Sequence, residues 1–277
     1  MQRSILITGC SEGGIGYATA HALKQRGYRV FATAREAGDV KQLRQEGFEA
    51  YRLDVTDPDT MDTTLADILA KTGGTLDALF NNAGYGQPGA LEDIPTHALR
   101  RQFETNVFGL HEFTRRVIPV MRAQGHGRII QHSSVLGIIA LRFRGAYNAS
   151  KYAIEGLTYT LRLELMGTGI FVSTLNTGPV VSRFRENATR MFLENVDMEN
   201  SVHKEEYESE VLKRKETKER VTWTNRMPDA VVERVIHALE SRKPKPRYHI
   251  TPATYLLGVL KRILSTGTLD RLLRKVQ

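Results

Sequence analysis

Short apolar runs recur along this chain, and between them the apolar positions spread out to helical spacing. Ser4 to Thr8, Arg29 to Ala34, Glu49 to Asp54, Ala78 to Asn81, Arg128 to His132 and Ile170 to Asn176 read as buried strands, each too short for a helix and bounded by turn residues. Such alternation predicts an α/β domain, with a parallel sheet, helices on both faces and a ligand crevice at the carboxyl ends of the strands. A long helix is expected through Leu165, stopping near Gly167. The pattern then turns polar from 182 to 224, with six acids and six bases between Lys204 and Arg220. Such a run is usually a solvated helix face, but its place between the last strands puts it over the crevice as a substrate lid. Pro244 and Pro246 precede a candidate last strand, Tyr248-His249-Ile250. The tail from Thr254 to Val276 follows, with Leu256, Leu257, Leu260, Ile263 and Leu264 at helical spacing. One domain over 1–277 is expected, with a lid over 182–224 and a basic amphipathic helix over 252–277.

Two features add chemistry to this frame. Thr8-Gly9-Cys10-Ser11-Glu12-Gly13-Gly14-Ile15-Gly16 closes the first strand and opens a helix. Backbone N–H groups of such a turn, with the helix N-terminus, face an anion and form a phosphate cradle. The doubly wound, Rossmann-type arrangement follows, and the next strand ends at Thr33-Ala34-Arg35. An acid there would meet a ribose 2′-hydroxyl, whereas an arginine accommodates a 2′-phosphate. Arg35 therefore favours NADP(H), while Glu36, one residue later, keeps NAD(H) open. Tyr147 and Lys151 lie four residues apart and share a helix face, so the cation is expected to bring the phenol down from about 10 toward working pH. A proton donor beside a dinucleotide site points to hydride transfer. Alone, each residue has an ordinary reading: a packed aromatic, a surface lysine, a tight turn.

The glycine turn, Asn81-Asn82-Ala83-Gly84, Asn106, Ser134 and the Tyr147/Lys151 pair stand in the order and approximate spacing of the single-domain short-chain dehydrogenases/reductases. The resemblance covers about residues 4 to 250. It looks most like the branch holding 17-beta-hydroxysteroid dehydrogenases, retinol dehydrogenases, acyl-dihydroxyacetone-phosphate reductases and bacterial aldehyde reductases. It implies Tyr147 as general acid or base, and Lys151 as the group that lowers its pKa and binds the nicotinamide ribose. Ser134, rather than Ser133, would orient the substrate oxygen, and Asn106 would hold a water leading to solvent. Gly9, Ser11, Gly14, Ile15, Gly16, Arg35, Asp54, Val55, Asn81, Asn82, Ala83, Gly84, Gly178 and Val180 would join Tyr147 and Lys151 around the cofactor. Asp54 could equally cap the next element.

Two departures stand out. Gly13-Gly14 makes the turn one residue longer than the family pattern, to be absorbed as a bulge. Thr177-Gly178-Pro179-Val180 replaces the usual Pro-Gly-Pro, so a more mobile loop over the nicotinamide is expected. The resemblance implies an apolar aldehyde, ketone or alcohol substrate of lipid, steroid, retinoid or acyl-chain type. Val135, Leu136, Ile138, Ile139, Leu141 and Phe143 are candidate pocket residues, although some must be core. A non-catalytic NADP(H) sensor on the same fold is the competing reading, and a lost tyrosine, lysine or serine would have favoured it. A homo-oligomer is expected by resemblance alone.

Charge and composition narrow the partners. From Arg242 to Gln277 there are nine Lys or Arg against Asp270 alone, a net +8 that equals the charge of the whole chain. No recognition helix, zinc spacing or stacking motif accompanies this tail, so nucleic acid is not an expected partner. The tail leucines beside Lys261, Arg262, Arg271, Arg274 and Lys275 leave two readings: packing on the domain or a neighbouring subunit, which is favoured, or contact with an anionic membrane surface. His111, His126, His132 and His249 lack ligand spacing with a carboxylate partner, so no metal is expected. Cys10 is the only cysteine, the first strand leaves no room for a leader, and no apolar run nears the ~20 residues of a membrane span. A cytoplasmic protein is expected.

Overall fold

The computed structural model describes residues 2–209, 221–222 and 225–275. Its strands are β1 (Ser4–Ile7), β2 (Arg29–Ala34), β3 (Glu49–Arg52), β4 (Ala78–Asn81), β5 (Gly127–Ser134), β6 (Ile170–Thr177) and β7 (Arg247–His249). All pair in parallel, in the order β3-β2-β1-β4-β5-β6-β7. The apolar runs lack polar alternation because both faces of the sheet are covered. Ile5 and Ile7 join Val30, Ala32 and Ile130 on one face, whereas Leu6 joins Phe31, Leu79 and Ile129 on the other. Burying such side chains contributes about 1.5–3 kcal/mol each.

Helices α1 (Ile15–Gln25), α2 (Ala37–Gln45) and α9 (Asp229–Glu240) cover the first face, through Ala20, Leu23, Val40, Leu43, Val231 and Val235. The second is covered by α3 (Pro58–Thr72), α5 (Leu110–Gln124) and α6 (Gly145–Glu164), through Met61, Ile68, Phe113, Val117 and Leu161. Local signals set their limits. Asp57 caps α3 by accepting from Asp59 N, Pro58 opens it, and Gly73 ends it with φ 67°. Strand order reverses between β1 and β4, so the segments leaving these two strands diverge and open the crevice.

The region expected as a lid contributes α7 (Phe184–Asn195) and the short α8 (Lys204–Tyr207). The predicted helical run beyond Ser209, through Arg220, lies outside the described residues. The tail differs from the single helix expected. It forms α10 (Pro252–Ile263) and α11 (Thr266–Leu273), separated where Leu264 and Ser265 turn extended. Leu257, Leu260, Leu264, Leu269 and Leu273 pack on Val135, Leu136, Ile138 and Ile139. No helix among the described residues is long and apolar enough to cross a membrane.

Candidate active site

The glycine turn is built by close backbone approach. A Cβ on Gly9 would meet Ala83 Cα at 2.9 Å, and one on Gly16 would meet the Gly9 carbonyl oxygen at 2.4 Å. The longer turn is absorbed between Ser11 and Gly14, whose N–H donates to the Ser11 carbonyl at 3.1 Å with Gly13 at φ 72°. Gly14 precedes α1 without any side-chain cap, so the helix N-terminus faces outward for an anion. Asn82 holds the turn to β4: its amide donates to the carbonyls of Thr8 and Gly9, both at 2.9 Å. The Thr8 hydroxyl accepts from the N–H groups of Asn82 and Ala83. These features fit a bound diphosphate.

The expected nucleotide residues divide. Arg35 is exposed at the end of β2 and pairs with Glu36 at 3.0 Å. Arg52, unremarked in the sequence, sits beside it at the end of β3 and donates to the Arg35 carbonyl. Asp54 caps its own turn, accepting from the N–H and hydroxyl of Thr56, and Val55 is buried in the core beside it. Asn81 is turned away, buried with its amide on Thr114 and Gln131. Gly84 lies against Asn106.

Helix α6 brings the catalytic candidates together. The Ser134 hydroxyl, at the end of β5, lies close enough to the Tyr147 phenol to favour its ionised form, while donating to the Thr177 carbonyl at 3.3 Å and accepting from Leu136 N at 3.1 Å. Ser133 faces Asn176 and Gly137 instead, because successive strand residues point to opposite faces. Burial pushes the Tyr147 phenol well above the usual tyrosine range, and the nearby Ser134 hydroxyl only partly offsets this. The expected lowering by Lys151 is therefore not found in the protein alone. The Lys151 ammonium lies 5.4 Å from the Tyr147 ring centre and donates to the His132 carbonyl at 2.6 Å. Its own pKa is pulled down to about 7 by burial, against which Glu155 acts. Tyr147 is thus a protonated acid, and Lys151 a cation that releases its proton near neutrality.

Asn106 occupies a π-helical stretch, Glu104–Gly109, between α4 (Thr96–Phe103) and α5. Its oxygen accepts from Tyr85 N, and its amide donates to the Tyr85 carbonyl and the Ser150 hydroxyl. The side chain therefore ties the segment after β4 to α6.

In the sequence His132 stands only among histidines not expected to bind metal and Thr177 only in a loop, while Glu155 escaped notice. His132 bridges two strand ends, with Nδ1 2.9 Å from Asn82 Oδ1 and Nε2 2.9 Å from Thr177 Oγ1. Because the Asn82 amide nitrogen already serves Thr8 and Gly9, Nδ1 must donate and Nε2 accept. Burial and the nearby Lys151 hold this imidazole down to about 3, so it is neutral. The hydroxyl of Thr177, where the family pattern has proline, is what reaches it. Instead of the mobile loop expected, Thr177 is tied to His132, and the following residues pair with 226: Arg226 N donates to Pro179 O, and Val181 N to Arg226 O. Gly178 packs tightly on Thr251, and Val180 leans on the core beside the glycine turn. Glu155, one turn beyond Lys151, is buried and accepts from Asn176 at 2.6 Å and Arg247 at 2.9 Å. The 147/151/155 spacing was its signal.

Phe184 covers Tyr147, ring centres 5.4 Å apart. Of the predicted pocket residues, Val135, Leu136, Ile138, Ile139 and Leu141 form the apolar wall beside Tyr147 under α10 and α11. Phe143 belongs instead with Phe192, Val196 and Tyr207, from the segment carrying α7 and α8. It alone among the described non-glycine residues has positive φ, 55°. The segment carrying α7 and α8 is anchored on the segment after β4: Tyr207 OH accepts from Ala90 N and donates to Asp93, and Asn195 donates to Gln87.

Comparison with known proteins agrees with this architecture. Residues 3–192 match the family model of short chain dehydrogenases. The uncharacterized oxidoreductase YbbO of Escherichia coli K12 is 38% identical over 274 residues, 99% of this chain and 95% of that protein. The NADPH-dependent 1-acyldihydroxyacetone phosphate reductase of Schizosaccharomyces pombe is 32% identical over 73% of this chain and 68% of its own length. A short-chain dehydrogenase from Streptomyces avermitilis superposes with a TM-score of 0.77 at 29% identity, covering 98% of this chain and 93% of the other. The chain belongs to the short-chain dehydrogenase/reductase family.

Proposed function

We propose that this enzyme is an NADP(H)-dependent oxidoreductase that interconverts an apolar aldehyde or ketone, of lipid, steroid, retinoid or acyl-chain type, and its alcohol. The observation that carries the reading is a protonated Tyr147, beside Ser134, set between a glycine phosphate cradle and an apolar wall. The cofactor supplies or accepts the hydride. Tyr147 gives its phenolic proton to the carbonyl oxygen as that hydride arrives, and takes it back in the reverse direction. Ser134 holds the same oxygen in place. Lys151, positive below about pH 7 in the free protein, faces the phenolate left behind and favours its formation. Val135, Leu136 and Leu141 exclude water and select an apolar carbonyl.

Support for the phosphorylated cofactor comes from Arg35 and Arg52 at adjoining strand ends and from the relative named as NADPH-dependent. The test follows loss of reduced-nicotinamide absorbance with NADPH, and separately NADH, across medium-chain aldehydes, apolar ketones, retinal and ketosteroids. Faster oxidation of NADPH than NADH, with the preference narrowed in Arg35→Asp, is expected. Tight NADPH binding without turnover of any carbonyl would overturn the catalytic reading.

A further inference from the structure

Helix α10 is apolar over two adjoining arcs. Its inner side, with Leu257 and Leu260, packs on the cluster that includes Tyr147. Tyr255, Leu256, Val259 and Ile263 fall within the outer arc at helical spacing, and are 50%, 52%, 55% and 69% exposed. An apolar arc wider than the part packed on the domain leaves a stripe that needs a second apolar environment, and the described residues supply only the first. The outer stripe runs into an open groove of about 810 Å³, where Val221, Met227 and Ile250 lie with Arg226 and Arg234. Arg262 adjoins the stripe on the helix. None of these three arginines has an ion-pair partner among the described residues, and Arg271 reaches only a carbonyl of its own helix.

We propose that this face docks on an anionic lipid surface, with the α10 stripe in the acyl boundary and Arg226, Arg234 and Arg262 among the headgroups. Charge decides between this and a second copy of the chain. A two-fold contact would set the same unpaired arginines against one another, whereas anionic headgroups complement them and the bilayer accepts the stripe. Glu233 in the groove and Asp270 in the tail are the acids nearby. Docking would place a single helix between the membrane and the apolar wall beside Tyr147, a short route for an apolar substrate. The proposal goes beyond the catalytic reading and stands apart from it.

The experiment sediments the intact protein with vesicles of phosphatidylcholine, or of phosphatidylcholine mixed with phosphatidylglycerol, at low and high salt. The protein is expected to pellet with the phosphatidylglycerol vesicles at low salt and to be released by high salt, since exposed charges are screened. Arg226→Glu with Arg262→Glu, both exposed, should weaken binding roughly tenfold or more. Val259→Asp with Ile263→Asp should do the same, with circular dichroism and NADPH binding unchanged in the arginine pair as the folding control. Retention in the supernatant with every vesicle would overturn the idea. So would a concentration-dependent dimer, lost in the Val259/Ile263 variant, without vesicle binding. Turnover of a water-soluble aldehyde without vesicles is measured separately, so failure of the catalytic reading is distinguishable from failure of this one.

Discussion

The nucleotide side and the substrate side of the crevice are built by opposite means. On the first, backbone meets backbone: Gly16 lies against Gly9 and Asn82, Gly9 against Ala83, and the Asn82 amide fixes both. On the second, side chains from remote segments fill a volume. Ala90 and Phe143 meet Phe192 and Tyr207 of α7 and α8, and the wall beside Tyr147 is closed by leucines from α10 and α11. A cradle of N–H groups exists only where a Cβ is absent, so its chemistry is tied to glycine at fixed positions. A cover needs only apolar volume of the right shape, and volume-conserving exchanges serve it nearly as well.

The largest effect should come where the two sides meet. Tyr147→Phe removes the proton donor and keeps the ring, so turnover should fall by about a thousandfold while NADPH affinity, measured by fluorescence titration, stays close to that of the parent. Near-normal turnover would move the chemistry elsewhere. On the substrate side, Phe192→Ala should cost about 3 kcal/mol in thermal or urea unfolding, whereas Phe192→Leu should cost about 1 kcal/mol. Equal losses would break the contrast between volume and position. On the nucleotide side even one methyl group is too much: Gly16→Ala should lose about 2 kcal/mol and weaken NADPH binding, because the neighbours are backbone and amide atoms with little room to give.

The smallest effect concerns the lysine between the two sides. Lys151 has its pKa lowered to about 7 in the folded protein from 10.5. Between those values the unfolded chain keeps a proton that the folded protein has released, so this group's contribution to stability rises with pH across the window. Lys151→Met should flatten that part of the profile of melting temperature against pH. Glu155→Gln should move the lysine midpoint, followed by NMR of its side chain, further down, because the carboxylate favours the cation. An unchanged midpoint would leave Glu155 as a strut for Asn176 and Arg247 only.

The structure also shows where the reading of the sequence ran short. The central strands were legible because sheet residues buried on both faces form apolar runs bounded by turn residues, while the short edge strands β3 and β7 carry polar residues. The Tyr147/Lys151 pair was legible because four residues make one helical turn. The lowering of the Tyr147 pKa was not realised, because spacing fixes the side of the helix but not burial, and burial opposes the phenolate. The bond from Thr177 to His132 could not be seen, since it joins residues 45 apart in sequence. The tail leucines announced a helix, but not the break at Leu264.

The sequence by itself determined the sheet, the glycine cradle and the pairing of Tyr147 with Lys151 on one helix face, because each rests on short-range geometry: strand length, absence of a Cβ, one turn of helix. Tertiary structure alone decided which way Asn81 and Asn82 face, that His132 is a neutral bridge, that Glu155 stands behind Lys151, and which side of α10 is left uncovered. Those outcomes depend on contacts between segments distant along the chain, where packing and desolvation, rather than local propensity, set the free energy.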